Sequence, residues 1–342
     1  MRLFTCENCT QPVYFENPGC VACRTALGYQ PDANAMLLLR EGRLRCENAQ
    51  HEACNWLVPE GTTDAFCRSC RHNVTIPNLG EASNLAHWRQ IQDAQRRAIY
   101  SFLRLDLPLE SRVEAPEAGL GFAILADAAD PNAPKVMTAH DFGLITIALA
   151  EADDVERSRR RAAMSEPYRT ILGHFRHESG HYFWDRLVRD TEMLAPCRAV
   201  FGDDSADYDA ALRRHHEQGP PADWQGDFVS GYATAHPWED FAESWAHYLH
   251  IIDTLEMARA FGIGVEARAD RSGALSGSVA FDPYRETRIE PVMEAWVPLT
   301  AAVNSLNRCM GVPDLYPFIL SPRAVEKLSF IQALVHRGRA AE

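Results

Sequence analysis

The spacing of apolar residues predicts several helices and two strands in the later part of the chain. Apolar residues at about helical spacing follow Asn84, a candidate helix cap, and continue to Pro108, which disfavours further helix. The same spacing recurs in three later segments: residues 167–189, the stretch after Pro237, and the stretch after Ser321 and Pro322. Short apolar runs at residues 120–125 and 144–149 predict strands.

Two groups of four cysteines dominate the chain before residue 71. The first group contains two Cys-x-x-Cys pairs, a spacing that lets four sulfur atoms surround one zinc ion. The second group contains one such pair, so His51 or His72 remains open as a replacement for one thiolate. The predicted ligands are Cys6, Cys9, Cys20 and Cys23 in the first site, and Cys46, Cys54, Cys67 and Cys70 in the second. Because four protein ligands leave no position for water, we expect both sites to be structural.

Composition and charge limit the classes of partner and compartment. The formal net charge is −13, and residues 1–80 carry seven Arg against eight Asp plus Glu, which disfavours nucleic acid and acidic membranes as partners. No segment approaches the ~18 consecutive apolar residues of a membrane helix, and the chain starts without a signal-peptide pattern. We therefore expect a cytoplasmic protein whose cysteines bind zinc and do not form disulfides.

The segment HESGH at residues 177–181 is the main candidate for catalysis. On the predicted helix, His177 and His181 are four residues apart, so both imidazoles project from one face and suit two bonds to one zinc ion. Glu178 lies about 100° around the helix from His177, beside the metal but not bonded to it. That position suits a general base for an attacking water.

The sequence offers a third metal ligand well after the HESGH segment. Metzincins have a glycine and a third histidine at positions where this chain has Trp184 and Leu187, so that subclass is excluded. A later predicted helix carries Glu239 and Glu243 one turn apart. We predict that Glu239 binds zinc and that Glu243 accepts the outer N–H of a ligand histidine, an arrangement similar to that of thermolysin-like zincins, the gluzincins. Asp240 and Glu243 remain rival ligands.

With these motifs, the chain resembles the bacterial zinc-binding metallopeptidases that carry an N-terminal zinc-ribbon domain. The resemblance spans nearly the whole length and rests on CNWLV at 54–58, FCRSCR at 66–71, EPYRTILGHFRHE at 166–178, HPWEDFAE at 236–243 and DLYPF at 314–318. One departure is Ser179, where we expect an aliphatic residue; the change should affect packing behind the helix more than zinc binding. The resemblance implies an α+β fold, with a small β zinc-ribbon domain over residues 1–76 and a helix-rich, zincin-like metallopeptidase domain over residues 77–342.

The predicted function is zinc-dependent hydrolysis of peptide bonds. Zinc on the three predicted ligands activates water, while Glu178 acts first as general base and then as general acid. Tyr232, just before the ligand helix, is the candidate donor to the oxyanion, with His236 and His247 as alternatives. In zincins the substrate extends along a sheet edge, and strand 144–149 is the candidate for that edge.

Cofactors, partners and competing functions follow from the same residues. We predict about three zinc ions per chain, one catalytic and two structural. The expected partner is a peptide or protein substrate, and the zinc ribbons are candidates for docking a second protein; neither nucleic acid nor membrane is expected. Two other functions stay open: a catalytically silent, zinc-stabilised interaction protein, and a zinc hydrolase of small amides. Substrate specificity is expected in residues 203–224 and 262–277.

Overall fold

The computed structural model describes residues 1–128, 130, 132–163 and 170–337. Of these, the residues up to Arg160 together with Thr170–Phe175 form one compact unit, and residues 161–163 together with those from Arg176 onward form a second. Helices, small sheets and an N-terminal ribbon region confirm the predicted α+β class. None of the helices in the described ranges combines the length and apolar character that a bilayer crossing needs.

The first unit begins with two antiparallel β-ribbons. Their strands are β1 (Phe4–Thr5) with β2 (Pro12–Val13), and β3 (Leu27–Gln30) with β4 (Ala35–Leu38). Aromatic side chains fill the small core beneath them, with Phe15 in edge-on contact with Tyr29 and Trp56 at ring-centroid distances of 4.9 and 5.9 Å. Such contacts supply the apolar burial that short ribbons otherwise lack.

A four-stranded sheet follows in the same unit, in the order β5-β6-β8-β7. Its strands are β5 (Asn73–Thr75), β6 (Gly121–Leu125), β7 (Ala139–Asp141) and β8 (Leu144–Ala148). β6 and β8 correspond to the two predicted strands. The prediction that 144–149 forms a sheet edge is wrong, because β7 pairs antiparallel with β8, from Asp141 opposite Leu144 to Ala139 opposite Thr146, while β6 occupies the other side.

Helix α1 (Ala82–Arg104) packs against the ribbon region, and α2 (Asp154–Ala163) follows later. Tyr100 contacts Phe15 at 5.3 Å between ring centroids, and the Arg97 guanidinium pairs with Glu16 at 2.6 Å. We expected Asn84 to cap this helix, but the helix begins two residues earlier, at Ala82, after Glu81. Helix α1 and the four-stranded sheet belong to the same compact unit as the ribbons. The domain boundary near residue 76 therefore stays a prediction.

In its described residues, the second unit is helical, with one two-stranded ribbon. Its elements are most of α3 (Ile171–Leu187), then α4 (Leu194–Phe201), α5 (Tyr208–Gln218), α6 (Pro237–Ala260), β9 (Gly264–Val265), β10 (Gly277–Ser278), α7 (Ile289–Cys309) and α8 (Pro322–His336). Short 3-10 turns span Trp224–Gly226 and Tyr232–Thr234 here, and Glu47–His51, Cys70–His72 and Leu149–Ala152 in the first unit. The predicted start of α3 at Pro167 lies outside the described residues.

Helices α3 and α6 touch backbone to backbone at Gly180. A Cβ atom at Gly180 would lie 2.8 Å from Cα of Ala242, closer than packed atoms allow. Next to this contact, the Ser179 hydroxyl donates to the Arg176 carbonyl at 2.7 Å and accepts from the Trp245 indole at 3.2 Å. The residue that departs from the family pattern is therefore a hydrogen-bonding group inside the α3–α6 interface.

Candidate metal centre

The contact between α3 and α6 brings two histidines and one glutamate together. Oε2 of Glu239 lies 3.0 Å from Nε2 of His177 and 3.4 Å from Nε2 of His181. The three candidate ligand atoms lie within 4.8 Å of one another. Glu239 is 1% exposed and His181 is 3% exposed, while 14% of the His177 side chain is exposed, so solvent reaches the cluster at His177.

The start of α6 explains how the sequence sets Glu239 in this position. Pro237 occupies the first helical turn, and the ring of His236 caps the helix by accepting a hydrogen bond from the Trp238 amide at 3.1 Å. Glu239 therefore lies in the first turn of α6, where the helix dipole stabilises a carboxylate. Gly180 permits the close approach of α3 that brings the histidines to it.

Two outer contacts orient the first histidine. Nδ1 of His177 donates to Oε1 of Glu243 at 2.7 Å, which leaves Nε2 directed to the cluster. The Ser230 hydroxyl in turn donates to Oε2 of Glu243 at 2.5 Å. Carboxylates that fix a ligand histidine in this way are typical of protein zinc sites. Glu243 thus contacts Nδ1 of His177, and Glu239 contacts Nε2 of the same ring.

The electrostatics of the cluster favour a positive charge at its centre. Burial lowers the pKa of His177, but the hydrogen bonds and charges of Glu239 and Glu243 outweigh burial and raise it well above its ordinary value. Burial raises the pKa of Glu239, but His181 and His177 outweigh burial and hold it well below its ordinary value. Oε2 of Glu239 is buried and faces Nε2 of both histidines. Two imidazoles and such a carboxylate oxygen fit zinc.

Glu178 and Tyr208 complete the surroundings of the three candidate ligands. Glu178 is 7% exposed. Burial, followed by the charges of Glu239 and then Glu178, raises the pKa of Tyr208. The Tyr208 hydroxyl donates a hydrogen bond to Oε1 of Glu239. Sequence reasoning missed Tyr208, because it lies in a segment without a motif, where Asp207 caps α5 by accepting from the Ala210 amide at 2.9 Å.

The candidate oxyanion donors fall into two groups. The Tyr232 ring lies 5.8 Å from the His177 ring, at the cluster. The two alternatives have other contacts: His236 caps α6 and donates to the Ala206 carbonyl at 3.1 Å, and Nδ1 of His247 hydrogen-bonds the Tyr316 hydroxyl at 2.6 Å. The ring contact with His177 keeps Tyr232 as the candidate donor.

The rival ligand Asp240 points into a separate ion pair. Its Oδ2 atom lies 2.6 Å from Nζ of Lys327 on α8, and both side chains are buried. Nζ of Lys327 also donates to the Asp227 carbonyl at 2.6 Å. A carboxylate paired in this way contributes to the packing of α6 and α8, while its neighbour Glu239 faces the histidines.

Both cysteine groups also converge. In each group the four sulfur atoms lie within 4.8 Å of one another. The second group is fully buried, and helix α1 covers it: the Gln92 side chain lies 3.7 Å from Sγ of Cys70, and the Arg96 charge acts on Cys54. His72 bonds the Leu120 carbonyl at 2.9 Å, and the four sulfurs converge without either histidine, a geometry that favours four cysteine ligands in the second site.

Comparison with known proteins bears on the whole length of the chain. Residues 84–334 match the family described as "Putative zinc-binding metallo-peptidase". The chain belongs to this family. Residues 3–81 match a zinc-ribbon domain. The metallopeptidase family and the N-terminal zinc ribbon inferred from the sequence are thus confirmed, and the two four-cysteine sites together with the family support zinc binding.

The relatives found among curated proteins have no described function. Uncharacterized proteins of Mycobacterium bovis and Mycobacterium tuberculosis are 41% identical over 338 residues, covering 98% of this chain and 95% of theirs. No solved structure matched the chain. Membership of the family therefore indicates a zinc-binding metallopeptidase.

Proposed function

We propose that this member of the family is a zinc-dependent peptidase that hydrolyses peptide bonds with Glu178 as general base and general acid. The observation that carries the proposal is the convergence of His177, His181 and Glu239 at one buried point, with distances of 3.0 and 3.4 Å from the carboxylate oxygen to the two ring nitrogens. A site with three protein ligands differs from the four-cysteine sites because a fourth position stays open to solvent or substrate.

Zinc in such a site supplies a Lewis acid that makes water a nucleophile near neutral pH. Glu178 follows His177 on α3, so its carboxylate lies about 100° around the helix from the first ligand. From there Glu178 accepts a proton from the attacking water and returns it to the departing amine. Its low exposure strengthens this exchange by keeping competing solvent away.

Neighbouring residues hold the reacting groups in position. Glu243, itself fixed by Ser230, keeps the His177 ring in one orientation through the 2.7 Å hydrogen bond to Nδ1. Tyr232 is the candidate donor to the oxyanion, a role worth roughly 3 to 4 kcal/mol in related chemistry. Burial and the charges of Glu239 and other neighbours raise the pKa of Tyr232 well above its ordinary value, so the phenol keeps the proton that a donor needs.

Replacing Glu178 with Gln tests the proposal, since it removes the base and retains the shape. We expect the variant to keep the zinc content of the parent and to lose at least about a hundredfold in peptide hydrolysis. Cleavage of a peptide library, read by mass spectrometry, measures activity, and atomic emission measures zinc. Glu217→Gln, an exposed glutamate on α5, is the matched control. Full activity in Glu178→Gln would remove this residue from the mechanism.

The same measurements separate the other functions and test the ligand assignment. Turnover of small acyl amides alone would favour an amide hydrolase, and no turnover by fully metallated protein would favour an interaction protein. Glu239→Ala should lose one zinc ion while the ions of the four-cysteine sites stay bound. If Glu243→Ala loses that ion and Glu239→Ala keeps it, the assignment is wrong by one helical turn.

A further inference from the structure

A cavity of about 470 Å³ lies beside the metal centre in the second unit. Tyr208 and Trp238 line it, and each also contacts a candidate zinc ligand. The Trp238 ring lies 3.9 Å from the His181 ring, and the Tyr208 hydroxyl donates to Glu239. The volume lies within the range of ligand pockets, and two residues of the cavity wall thus connect it with the candidate zinc ligands.

The inner walls of the cavity are aromatic. Trp184 and His236, both buried, line it together with the less buried rings of Trp238 and Tyr208. The rings meet edge to face, with centroids 6.3 Å apart for Trp184 and Trp238 and 5.5 Å apart for Tyr208 and Trp238. Leu194, the first residue of α4, contributes an aliphatic wall. Such surfaces bind an apolar or aromatic group by excluding water from it.

Four charged residues line the cavity: Arg189, Arg198 and Asp204 are engaged in ion pairs, and Asp190 is exposed. Arg198 forms two hydrogen bonds with the Asp204 carboxylate, at 2.6 and 3.3 Å. Arg189 pairs with Asp185 at 2.6 Å, and its guanidinium lies 5.3 Å from the Trp184 ring. An acidic ligand therefore meets arginines that already hold a carboxylate, and a basic ligand meets Asp204, which is already paired, and the exposed Asp190. A neutral apolar group requires no such partner.

We infer that this cavity is the specificity pocket of the enzyme and holds a large apolar side chain, aromatic or aliphatic, of a peptide bound at the metal centre. That the ligand is a peptide rests on the proposed function. Two wall residues of the cavity contact candidate zinc ligands, so a side chain that fills it belongs to a residue close to the bond that is cleaved.

Binding to the Glu178→Gln protein, loaded with zinc, tests the pocket without requiring catalysis. Isothermal titration calorimetry measures the binding of short polyalanine peptides that carry one central Phe, Leu, Ala, Arg or Glu. Because only this residue differs from the alanines around it, it determines how the peptide is aligned with the pocket. We expect the Phe and Leu peptides to bind at least about tenfold more tightly than the Ala peptide, and the Glu peptide to bind no better than Ala. Tightest binding of the Arg or Glu peptide would overturn the inference.

Two substitutions at Leu194 change the volume of the cavity in opposite directions. In the Glu178→Gln background, Leu194→Trp should abolish the preference for Phe over Ala, and Leu194→Ala should move the preference from Leu toward Phe. Leu306→Trp, on an exposed position of α7 that does not line the cavity, is the matched control and should bind as the parent does. Equal zinc content and equal circular dichroism establish that each variant is folded. Unchanged preference in both Leu194 variants would refute the pocket.

Hydrolysis by the protein with Glu178 intact separates failure of the pocket from failure of the proposed function. If peptides bind with the expected preference and none is cleaved, the peptidase function is wrong and the pocket stands. If peptides are cleaved with equal rates whatever the central residue, the peptidase function stands and the pocket is wrong.

Discussion

Replacing Tyr208 with Phe removes one hydroxyl from the metal centre and keeps the ring. That hydroxyl donates to Oε1 of Glu239, a carboxylate that is 1% exposed and has no access to solvent as a substitute donor. A hydrogen bond to a charged group contributes about 1.5–3 kcal/mol. At about 1.4 kcal/mol for each factor of ten, this corresponds to roughly 10- to 100-fold in an equilibrium constant.

The expected loss in zinc affinity lies near the lower end of that range. The hydroxyl stabilises the Glu239 carboxylate both with and without metal, so most of the free energy of this hydrogen bond cancels when zinc binds. Only the share that comes from restricting rotation of the carboxylate contributes to zinc affinity. Outer contacts of this kind usually account for about 10- to 100-fold in metal affinity. We therefore expect Tyr208→Phe to weaken zinc binding at this site by about tenfold, while the four-cysteine sites keep their metal.

Competition with a chromophoric zinc chelator measures this change. The site with three ligands should release its ion first, so the first step of the titration reports on it. Tyr232→Phe is the control, since that phenol is assigned to the oxyanion and should lower hydrolysis with little effect on zinc affinity. The reasoning is refuted if Tyr208→Phe binds zinc as tightly as the parent, or if both variants weaken binding equally.

Two further predictions concern stability and metal removal. Gly180→Ala should lower the free energy of unfolding by about 1–3 kcal/mol despite the better helix propensity of Ala, because the new Cβ lies 2.8 Å from Cα of Ala242. Gly226→Ala, where a Cβ meets nothing within 4 Å, is the control, and urea denaturation gives both values. With mild chelation, the first four-cysteine site should release zinc before the fully buried second site, and loss from the second should also reduce helical circular dichroism, because α1 covers it. Native mass spectrometry follows the order, and release in the reverse order would contradict it.

Local patterns in the sequence were sufficient to predict the arrangement of groups that lie close together along the chain. His177 and His181 share a helix face because of the 3.6-residue period, and each pair of cysteines in a Cys-x-x-Cys segment is adjacent in any fold. The helix that carries Glu239 was also predictable, since a proline at its start and apolar residues along it are local signals.

Tertiary structure decided which distant groups meet. Neither period nor motif indicated that Tyr208 would donate to Glu239, that Asp240 would pair with Lys327, or that β7 would cover one side of β8. Such contacts join residues far apart in sequence, and they depend on how helices and strands pack after each has formed. The sequence by itself determined the chemistry available, in its histidines, carboxylates and thiols; packing alone determined which carboxylate faces the histidines and which aromatic rings wall the cavity beside them.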